Sequence, residues 1–479
     1  MASLIEIRQE RLKKVAKLRE LGIDPYPSKS ARSNSNKEII ENFAKFEGKE
    51  VTLAGRLMSK REHGSLMFAD LQDPTSTIQL YIKNEELRVT NKLEQCVGFD
   101  NLDLLDIGDI VEARGIITKT KNGTVSLAPR SLRILAKSIR SLPEKWEGVK
   151  DPETLHRQRY LDLIIHPEHK WRFQKASEIL FAIREFLNSR GFLEIKTPII
   201  QPTYGGTSAK PFKTRVNALG VDYYLAVAHE LYLKRLITAG FENVYNLVGY
   251  FRNEGIDRSH NPEFNMIETM TAYKNYEFNM DLTEELYTYI GRKVFGKTVF
   301  KIEGEEVDFA KPWRRVSMFD LVKEHTGQEL IGEKLVEVFE NEVEKKLIQP
   351  TFVMNHPVEV SPLAKQLESD PRFVERFEIF IGGIEGGDNW SELNDPIELF
   401  KRFQDQHKRR LAGDEEAHPM DIEFIEMMEY GMPPTTGLGP GIERLTMMFT
   451  EAHSIDEVLF FPMLRPAPHS DLHKEIYGF

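Results

Sequence analysis

The segment FRNEGIDRSHNPEFNMIETMTAY, residues 251–273, gathers an arginine, several carboxylates, a histidine and aromatic rings within the length of one hairpin. Its GIDRSHNP centre is rich in turn-forming residues between more apolar flanks, which predicts two antiparallel strands joined by a long loop. Arg252 can donate two parallel N–H bonds to a phosphate, and Phe264 offers a flat face to a base. His260 adds a positive donor, and Glu254 can accept from an exocyclic amine. The pattern predicts a nucleotide triphosphate site, with a surface hairpin laced by salt bridges as the alternative.

A second motif, GLGPGIERL at residues 437–445, favours the nucleotide site over the surface hairpin. Its glycines predict a turn at which the backbone approaches a ligand closely, and the following LTMMF predicts the start of a helix. Similar glycine strings occur in dinucleotide-binding folds. Here, however, the upstream strand, the spacing and the later acidic residue of such a fold are missing, so we reject that interpretation.

Three motifs in order resemble those of class II aminoacyl-tRNA synthetases: RGFLEIKTPII at residues 190–200, the segment around Arg252, and the glycine motif around Arg444. The finer resemblance is to lysyl-tRNA synthetases, and it covers nearly the whole chain. It is carried by the strings VTLAGRLMSKR, RQRYLDL, GGTSAKPFKT, HELYLKRL, HPVEVSPLAK, WSELNDP and VLFFPMLRP. The resemblance implies a ligase that activates L-lysine with ATP and transfers it to tRNA(Lys). It also implies a homodimer with Pro198 at the interface.

Breaks in the sequence divide the chain into four parts. Residues 1–48 are predicted to form a basic helix and a polar lead-in, and the proline-containing residues 141–156 a linker. Residues 49–140 hold five short alternating runs, which predicts a five-stranded β-barrel of the OB type. Within residues 157–479 helices alternate with strands, and the resemblance implies a class II catalytic domain with an antiparallel sheet flanked by helices. The predicted fold class is α+β.

The first helix is predicted from residues 8–19, which carry six basic residues against one acidic residue on an apolar pattern that includes Leu12 and Val15. Such a helix can contact nucleic acid, lie on an anionic membrane or simply face solvent, and the sequence leaves all three open. No run of 18 apolar residues predicts a membrane span. The single cysteine, Cys96, excludes an internal disulfide and fits a cytoplasmic location. The net charge of −11 requires any nucleic-acid contact to be local.

The resemblance assigns anticodon recognition to the barrel. OB barrels hold single-stranded nucleic acid by stacking bases on aromatic rings. The matching positions are Phe68 for stacking and Gln79 for hydrogen bonds to a base edge, with Arg56 and Arg61 near the phosphates. Packing inside the barrel is the alternative for Phe68.

The ATP site can be reasoned from charge, because the reaction brings the substrate carboxylate against the α-phosphate while pyrophosphate leaves. Positive groups must stabilise that arrangement, and no general base is needed since the carboxylate is already ionised. Arg252 and Arg444 are the catalytic candidates. The full set of positions that match the family's ATP contacts is Arg252, Glu254, His260, Asn261, Phe264 and Arg444.

A magnesium site is implied at Glu378 and Glu385, which match the family's metal positions. Mg²⁺ prefers oxygen ligands, usually one or two carboxylates together with substrate phosphates. The FEIFIGGIEGG spacing allows a strand, a turn and a return strand between the two glutamates. Surface charge is the alternative for both.

Selection of lysine requires carboxylates in the pocket, because an unpaired buried ammonium is costly. The positions that match the family's amino-acid pocket are Gly206, Glu230, Glu268, Met270, Asp388, Trp390 and Glu392. A pocket with this much negative charge is expected to reject uncharged side chains of similar shape.

The same pocket departs from the family pattern. Met270 replaces the usual tyrosine and cannot donate a hydrogen bond, so we expect Asp388, in place of the usual asparagine, to compensate. Trp390 is a larger aromatic ring than usual, and His229 replaces a proline. These changes leave open a lysyl enzyme with a rebuilt pocket or a ligase for another cationic amino acid, such as a lysine isomer or ornithine. A nonenzymatic RNA-binding relative is disfavoured because both ATP arginines are present.

Residues 325–347 are shorter than the helical insertion that lysyl enzymes generally carry there. The sequence predicts only a short glycine-containing passage and one amphipathic helix.

Overall fold

The computed structural model of the chain describes residues 3–143, 151–413, 417, 419–468 and 471–478. Part of the predicted linker, residues 144–150, lies outside these. The described chain groups into two compact units. The first comprises the described parts of residues 1–155, with 160–167 and 466–479, and the second comprises 156–159 and 168–465.

The first unit is built on a closed barrel with the strand order β1-β2-β3-β5-β4. Its strands are β1 (Glu50–His63), β2 (Leu66–Gln72), β3 (Thr77–Lys83), β4 (Ile110–Lys119) and β5 (Val125–Ala136). Alternate residues such as Met67 and Ala69 point into the barrel and are buried. The predicted five-stranded barrel of the OB type is therefore confirmed. Cys96 is buried and free, as its small apolar side chain favours.

Helix α1 (Leu4–Glu20) begins at a capping box, in which Ser3 and Glu6 exchange side-chain to backbone hydrogen bonds. Its buried face includes Val15, whereas Leu12 is 37% exposed. Two of its basic residues are used inside the unit: Arg11 donates to the carbonyl oxygen of Ser138 at 2.9 Å, and Lys14 binds Asp106. The basic face available to a partner is therefore smaller than the sequence suggests, and its role stays open.

The remaining helices of the chain are α2 (Asn36–Glu41), α3 (Phe43–Phe46), α4 (Pro152–Arg157), α5 (Arg159–Ile165), α6 (Lys170–Ser189), α7 (Glu230–Thr238), α8 (Tyr276–Ile290), α9 (Met318–Thr326), α10 (Glu333–Glu342), α11 (Pro396–Leu411), α12 (Ile422–Glu429), α13 (Ile442–Thr450) and α14 (Asp471–Tyr477). Within the described residues no helix combines the length and the apolar character needed to cross a membrane. Residues 325–347 contain the end of α9, the predicted short passage with Gly327 as a left-handed cap, and α10, as expected.

The second unit is built on an eight-stranded sheet with the order β14-β15-β18-β19-β20-β11-β10-β6. The strands of the unit are β6 (Leu193–Glu194), β7 (Ile200–Gln201), β8 (Lys213–Val216), β9 (Val221–Leu225), β10 (Asn243–Phe251), β11 (Glu263–Ala272), β12 (Val299–Ile302), β13 (Glu305–Asp308), β14 (Arg314–Ser317), β15 (Thr351–Met354), β16 (Gln366–Leu367), β17 (Asp370–Val374), β18 (Arg376–Ile381), β19 (Ile384–Ser391) and β20 (Thr435–Pro440). Its pairs are antiparallel except β6 with β10 and β14 with β15. The predicted antiparallel sheet flanked by helices is confirmed, with these two parallel pairs as exceptions.

Helices cover both faces of the sheet centre, and β11 shows why. Ile267 points into a buried cluster with residues of α6, α8 and α13. Met270 points to the other face, into a cluster with residues of α7, α11 and α12. Strands β10 and β11 pair with Phe251 opposite Glu263, so the predicted hairpin is confirmed and its loop spans residues 252–262.

The glycine motif was predicted to be a turn, and that prediction is wrong: residues 435–440 form β20, between β11 and β19. A Cβ on Gly437 would lie 2.6 Å from Cε of Met270, and one on Gly439 would lie 3.2 Å from Cε of Met266. Glycine is needed here because methionines of the neighbouring strand fill the space, not because the chain turns. The predicted helix is confirmed by α13, although it begins at Ile442, inside the motif and three residues before LTMMF.

The segment RGFLEIKTPII, residues 190–200, contributes two strands of two residues, β6 and β7. Pro198 lies between them and has no N–H to donate to a sheet ladder. Gly191 lies between α6 and β6 and has a φ of +79°.

Candidate active site

A single cavity of about 310 Å³ in the second unit brings together all of the predicted ATP, metal and amino-acid residues. Its walls come mainly from β11, β18, β19 and β20, which are neighbours in the centre of the sheet, and from the loop 252–262. The predicted residues that line it are Gly206, Glu230, Arg252, Glu254, His260, Asn261, Phe264, Glu268, Met270, Glu378, Glu385, Asp388, Trp390, Glu392 and Arg444.

Arg252 follows the last residue of β10, and its side chain is held loosely. Its Nε donates to the carbonyl oxygen of Val227 at 3.4 Å, and its guanidinium lies 5.2 Å from the ring centroid of Phe264. Within the described part of the chain, its two Nη groups have no hydrogen-bond partner. The Phe264 ring is half-buried and stacks near Tyr250, with 5.9 Å between centroids. The site therefore offers a free guanidinium fork beside an aromatic face.

Arg444, on α13, connects the glycine motif to the long loop. Its Nη1 donates to the carboxylate of Glu385 at 2.6 Å, and its Nη2 lies 2.8 Å from Nε2 of His260. Because a guanidinium only donates, Nε2 must accept, which assigns the ring proton to Nδ1, 2.9 Å from Asp257. In this arrangement Nε2 of His260 accepts from Arg444, so it does not point toward the cavity as the donor that the sequence predicted.

Two further predicted ATP residues have clear local partners. Asn261 is buried, donates to the carbonyl oxygen of Glu263 at 2.6 Å and accepts from the backbone N–H of Met463 at 3.2 Å. Glu254 is exposed and accepts from the backbone N–H of Lys210 at 3.3 Å. Asn261 therefore shapes the loop, whereas Glu254 is exposed at the wall of the cavity.

The amino-acid end of the cavity contains three buried carboxylates and one buried lysine. The ammonium of Lys234 binds Glu230 and also Glu392, the latter at 2.5 Å. Glu268 accepts from the backbone N–H of His229 at 3.0 Å. Burial raises the pKa of Glu268 and that of Glu392 each to about 8, with the neighbouring Glu230 adding to both shifts. Sequence reasoning missed Lys234, although its place four residues after Glu230 on α7 was a usable signal.

Asp388 does not compensate for Met270 as expected, because it is already paired. Arg376 on β18 donates to both its carboxylate oxygens, at 2.9 and 2.7 Å, and to Glu378 at 2.6 Å. Burial still raises the pKa of Asp388. Arg376 was missed by the sequence analysis, and it balances the extra negative charge of this wall.

Glu378 and Glu385 lie on β18 and β19, joined by a tight turn in which Gly382 and Gly383 have φ of +64° and +71°. Burial raises the pKa of Glu378 to about 7, and the nearby Glu385 contributes. The two carboxylates therefore repel each other beside a cavity lined by arginines. This donor set of carboxylate oxygens fits a divalent cation that prefers oxygen ligands.

The predicted anticodon residues lie on one outer face of the barrel in the first unit. Phe68 on β2 is directly opposite Arg61 on β1 and Tyr81 on β3. Its ring stacks on that of Tyr81, with 5.2 Å between centroids and 13° between planes. Phe68 is half-buried and points outward between the inward-facing Met67 and Ala69, so the alternative of packing inside the barrel is wrong.

Gln79 and Arg56 share this outer face but are partly engaged. Gln79 accepts from the hydroxyl of Ser126 at 3.1 Å, and Arg56 donates to the carbonyl oxygen of Gly108 at 2.7 Å. Tyr81 was missed by sequence reasoning, although it follows Gln79 by two residues and must share its face.

Comparison with known families agrees with both units. A family described as tRNA synthetases class II (D, K and N) matches residues 151–465, and one described as OB-fold nucleic acid binding domain matches residues 51–142. Together with the sheet and the shared cavity, these matches define the protein as a class II aminoacyl-tRNA synthetase.

Relatives match along nearly the whole chain. It is 46% identical over 489 residues to the lysine–tRNA ligase of Thermoanaerobacter pseudethanolicus, covering 97% of this chain and 96% of that one. It is 45% identical over 492 residues to the lysine–tRNA ligase of Syntrophomonas wolfei, covering 97% and 98%. The chain belongs to the lysine–tRNA ligase family.

Proposed function

We propose that this synthetase activates L-lysine with ATP in the cavity described above and transfers the lysyl group to tRNA(Lys). The observation that carries the proposal is the division of the cavity. One end has the free guanidinium of Arg252 beside the Phe264 ring, and the other has three buried carboxylates. ATP and a cationic amino acid match these two ends in charge and in shape.

In the activation step the lysine carboxylate attacks the α-phosphorus in line. A new oxygen–phosphorus bond forms, the bond between the α-phosphorus and the bridging oxygen breaks, and pyrophosphate leaves. Arg252 directs its free Nη groups to the α-phosphate and the attacking carboxylate. Arg444 binds the γ-phosphate, and His260 assists there by holding the Arg444 guanidinium through Nε2. Glu254 binds the adenine amine while Phe264 stacks on the base. Asn261 holds the loop in place around the nucleotide.

The lysine side chain is selected by the carboxylates at the opposite end. Three carboxyl groups, Glu230, Glu268 and Glu392, share this end of the cavity with one cation, Lys234, so a second ammonium can pair with a carboxylate that ionises as it binds. Gly206 has a φ of +92°, and a Cβ on it would lie 3.0 Å from Ala228, which supports a close backbone approach to the α-amino end. Met270 and Trp390 form the apolar walls for the methylene groups.

Mg²⁺ is the cofactor that the carboxylates Glu378 and Glu385 fit. When bound, the ion supplies charge neutralisation for the phosphates of ATP. Arg376 and Arg444 each hold one of the two carboxylates, which orients them toward the nucleotide.

The outer face of the barrel is proposed to bind the anticodon. The stacked pair Phe68 and Tyr81 supplies a platform for bases, Gln79 a hydrogen-bonding amide, and Arg61 a cation beside the platform. Arg56 is the weakest of the predicted contacts, because Gly108 already occupies one of its donors.

A homodimer through the segment RGFLEIKTPII, residues 190–200, is supported by apolar side chains that face solvent. Pro198 is exposed, and Leu193 and Ile200 are 48% and 50% exposed, a pattern that favours burial against a second copy. Sedimentation equilibrium tests this, and a monomer at micromolar concentration would exclude the dimer.

A second candidate is a ligase for another cationic amino acid, which the combination of Met270, Trp390 and the Arg376–Asp388 pair favours. ATP/pyrophosphate exchange with the twenty standard amino acids, ornithine and β-lysine separates the candidates. Selective exchange with lysine supports the first proposal, and exchange with ornithine or β-lysine supports the second. Exchange with none of them overturns both and leaves the RNA-binding relative.

A further inference from the structure

Glu378 and Asp388 are two carboxylates that lie directly opposite each other on neighbouring strands. They are paired in the register of β18 and β19, and both line the cavity. Like charges directly opposite each other in a sheet are unfavourable, so a cation is needed between them. Arg376 supplies it, because its Nη2 donates to Glu378 at 2.6 Å and to Asp388 at 2.7 Å.

Arg376 uses all five of its N–H donors. Its Nε and Nη2 donate to the two carboxylate oxygens of Asp388, and Nη2 also donates to Oε1 of Glu378. Its Nη1 donates to Oγ of Ser361 at 2.9 Å and to the carbonyl oxygen of Val360 at 3.2 Å. The guanidinium is therefore held in one orientation, in which it touches one oxygen of Glu378. The other oxygen, Oε2, has no hydrogen-bond partner among the described residues.

We propose that Asp388 is a positioning residue for the metal site. By binding Arg376 with both of its oxygens, Asp388 keeps the guanidinium on Oε1 of Glu378 and leaves Oε2 to a divalent cation. This inference rests on the proposed function and deepens it. It gives Asp388, which stands where the family usually has asparagine, a part in metal binding and not in contact with the amino acid.

Asp388 is needed because the other two acceptors hold only Nη1 of the guanidinium. Without Asp388, Nε and one N–H of Nη2 need a new acceptor, and the neighbouring carboxylate is that of Glu378. A guanidinium binds a carboxylate best through two parallel N–H bonds, so Arg376 would turn toward both oxygens of Glu378. That arrangement occupies the oxygen that the cation needs. An asparagine offers one acceptor oxygen and no charge, so it does not hold the guanidinium in place.

The variant Asp388→Asn tests the inference by the binding of Mn²⁺, which shares the preference of Mg²⁺ for oxygen ligands. The EPR signal of free Mn²⁺ is followed with enzyme and α,β-methylene-ATP, and the nucleotide alone is the blank. The dissociation constant of Mn²⁺ is expected to rise about tenfold or more, as for loss of a group that orients a metal ligand. The Mg²⁺ concentration for half-maximal ATP/pyrophosphate exchange should rise with it. The KM for lysine at saturating Mg²⁺ is expected to stay within about twofold.

Two further variants separate orientation from charge. Glu344→Gln removes a carboxylate that lines an adjoining cavity together with Glu378 and is not among the five acceptors of Arg376. It is expected to raise the dissociation constant of Mn²⁺ by about twofold at most. Ser361→Ala removes one acceptor of Arg376 without changing the charge. It is expected to raise the dissociation constant more than Glu344→Gln does and less than Asp388→Asn does.

The outcomes separate the inference from the proposed function. A wild-type enzyme that binds no Mn²⁺ with the nucleotide overturns the proposed metal site, and one that shows no exchange overturns the proposed activity. With Mn²⁺ bound by the wild type, an unchanged dissociation constant in Asp388→Asn overturns the inference alone.

Two other results also overturn the inference. A raised KM for lysine with unchanged Mn²⁺ affinity would mean that Asp388 contacts the amino acid. Equal effects of Asp388→Asn and Glu344→Gln on Mn²⁺ affinity would mean that charge alone matters. If Asp388→Asn does not fold, an unchanged dissociation constant in Ser361→Ala overturns the inference.

Discussion

The catalytic cavity and the outer face of the barrel differ in how far their charged side chains are buried. In the cavity, Glu230, Lys234 and Glu392 are nearly inaccessible to solvent, and Lys234 pairs with both glutamates. On the barrel, Phe68 is half-buried and Arg61 is exposed, open to a flexible polymer. We therefore expect the cavity to select its substrate by the cost of burying an unpaired charge, and the barrel to bind tRNA by stacking contacts of moderate strength. Substitutions in the first should have large and specific effects, and those in the second should have moderate ones.

The largest expected effect is that of Arg252→Ala on activation. Its free Nη groups are the donors available to the α-phosphate, and loss of such transition-state contacts typically costs about 10³-fold. ATP/pyrophosphate exchange should be almost abolished, while tRNA binding measured by filter retention stays nearly intact. Arg61→Ala, the matched variant on the barrel, should leave exchange intact and weaken tRNA binding. Normal exchange by Arg252→Ala would show that Arg252 does not act on the α-phosphate.

Lys234→Met should have the largest effect on stability. It leaves Glu230 and Glu392 buried without their shared cation, a change expected to lower the free energy of unfolding by about 3 kcal/mol or more. Urea denaturation measures this. The control is Arg114→Ala, which breaks the exposed pair of Arg114 and Glu50 on the barrel and should cost less than about 1 kcal/mol. Equal losses of unfolding free energy in the two variants would show that the buried pair contributes no more to stability than the exposed pair.

Phe68→Ala should weaken tRNA binding about tenfold, as for loss of one base stacked on an aromatic ring. ATP/pyrophosphate exchange should be unchanged, because the ring lies in the first unit and the cavity in the second. Leu93→Ala, which removes an 87% exposed side chain from the same unit, should change neither assay. Equal loss of tRNA binding and of exchange in Phe68→Ala would indicate a structural role instead.

The two regions also differ in how far the sequence predicts them. Alternation of apolar residues predicts all five barrel strands, because that pattern is local. The cavity depends on contacts between distant strands. The sequence therefore misassigned Gly437, whose role depends on Met270, and missed Arg376, whose partner Asp388 lies on the next strand. The resemblance supplied the residues that line the cavity, but not the pairs that they form.

The smallest expected effect is a pH dependence confined to the cavity. Burial raises the pKa of Glu268 to about 8, so at pH 7 the folded free enzyme holds a proton there that the unfolded chain, with an ordinary pKa near 4.5, has released. The folded state therefore binds more protons between about pH 4.5 and 8, and this group makes the free enzyme less stable as pH rises through that window.

Lysine binding, in contrast, should become tighter as pH rises. The lysine ammonium stabilises the ionised carboxylate of Glu268, and binding releases its proton. Ionisation of a group with a pKa of about 8 rises about fivefold from pH 7 to pH 8, so the KM for lysine should fall by up to that factor. Glu268→Gln should weaken the dependence, and tRNA binding to the barrel should show no matching change. If the KM for lysine is the same at pH 7 and pH 8, ionisation of Glu268 does not contribute to lysine binding.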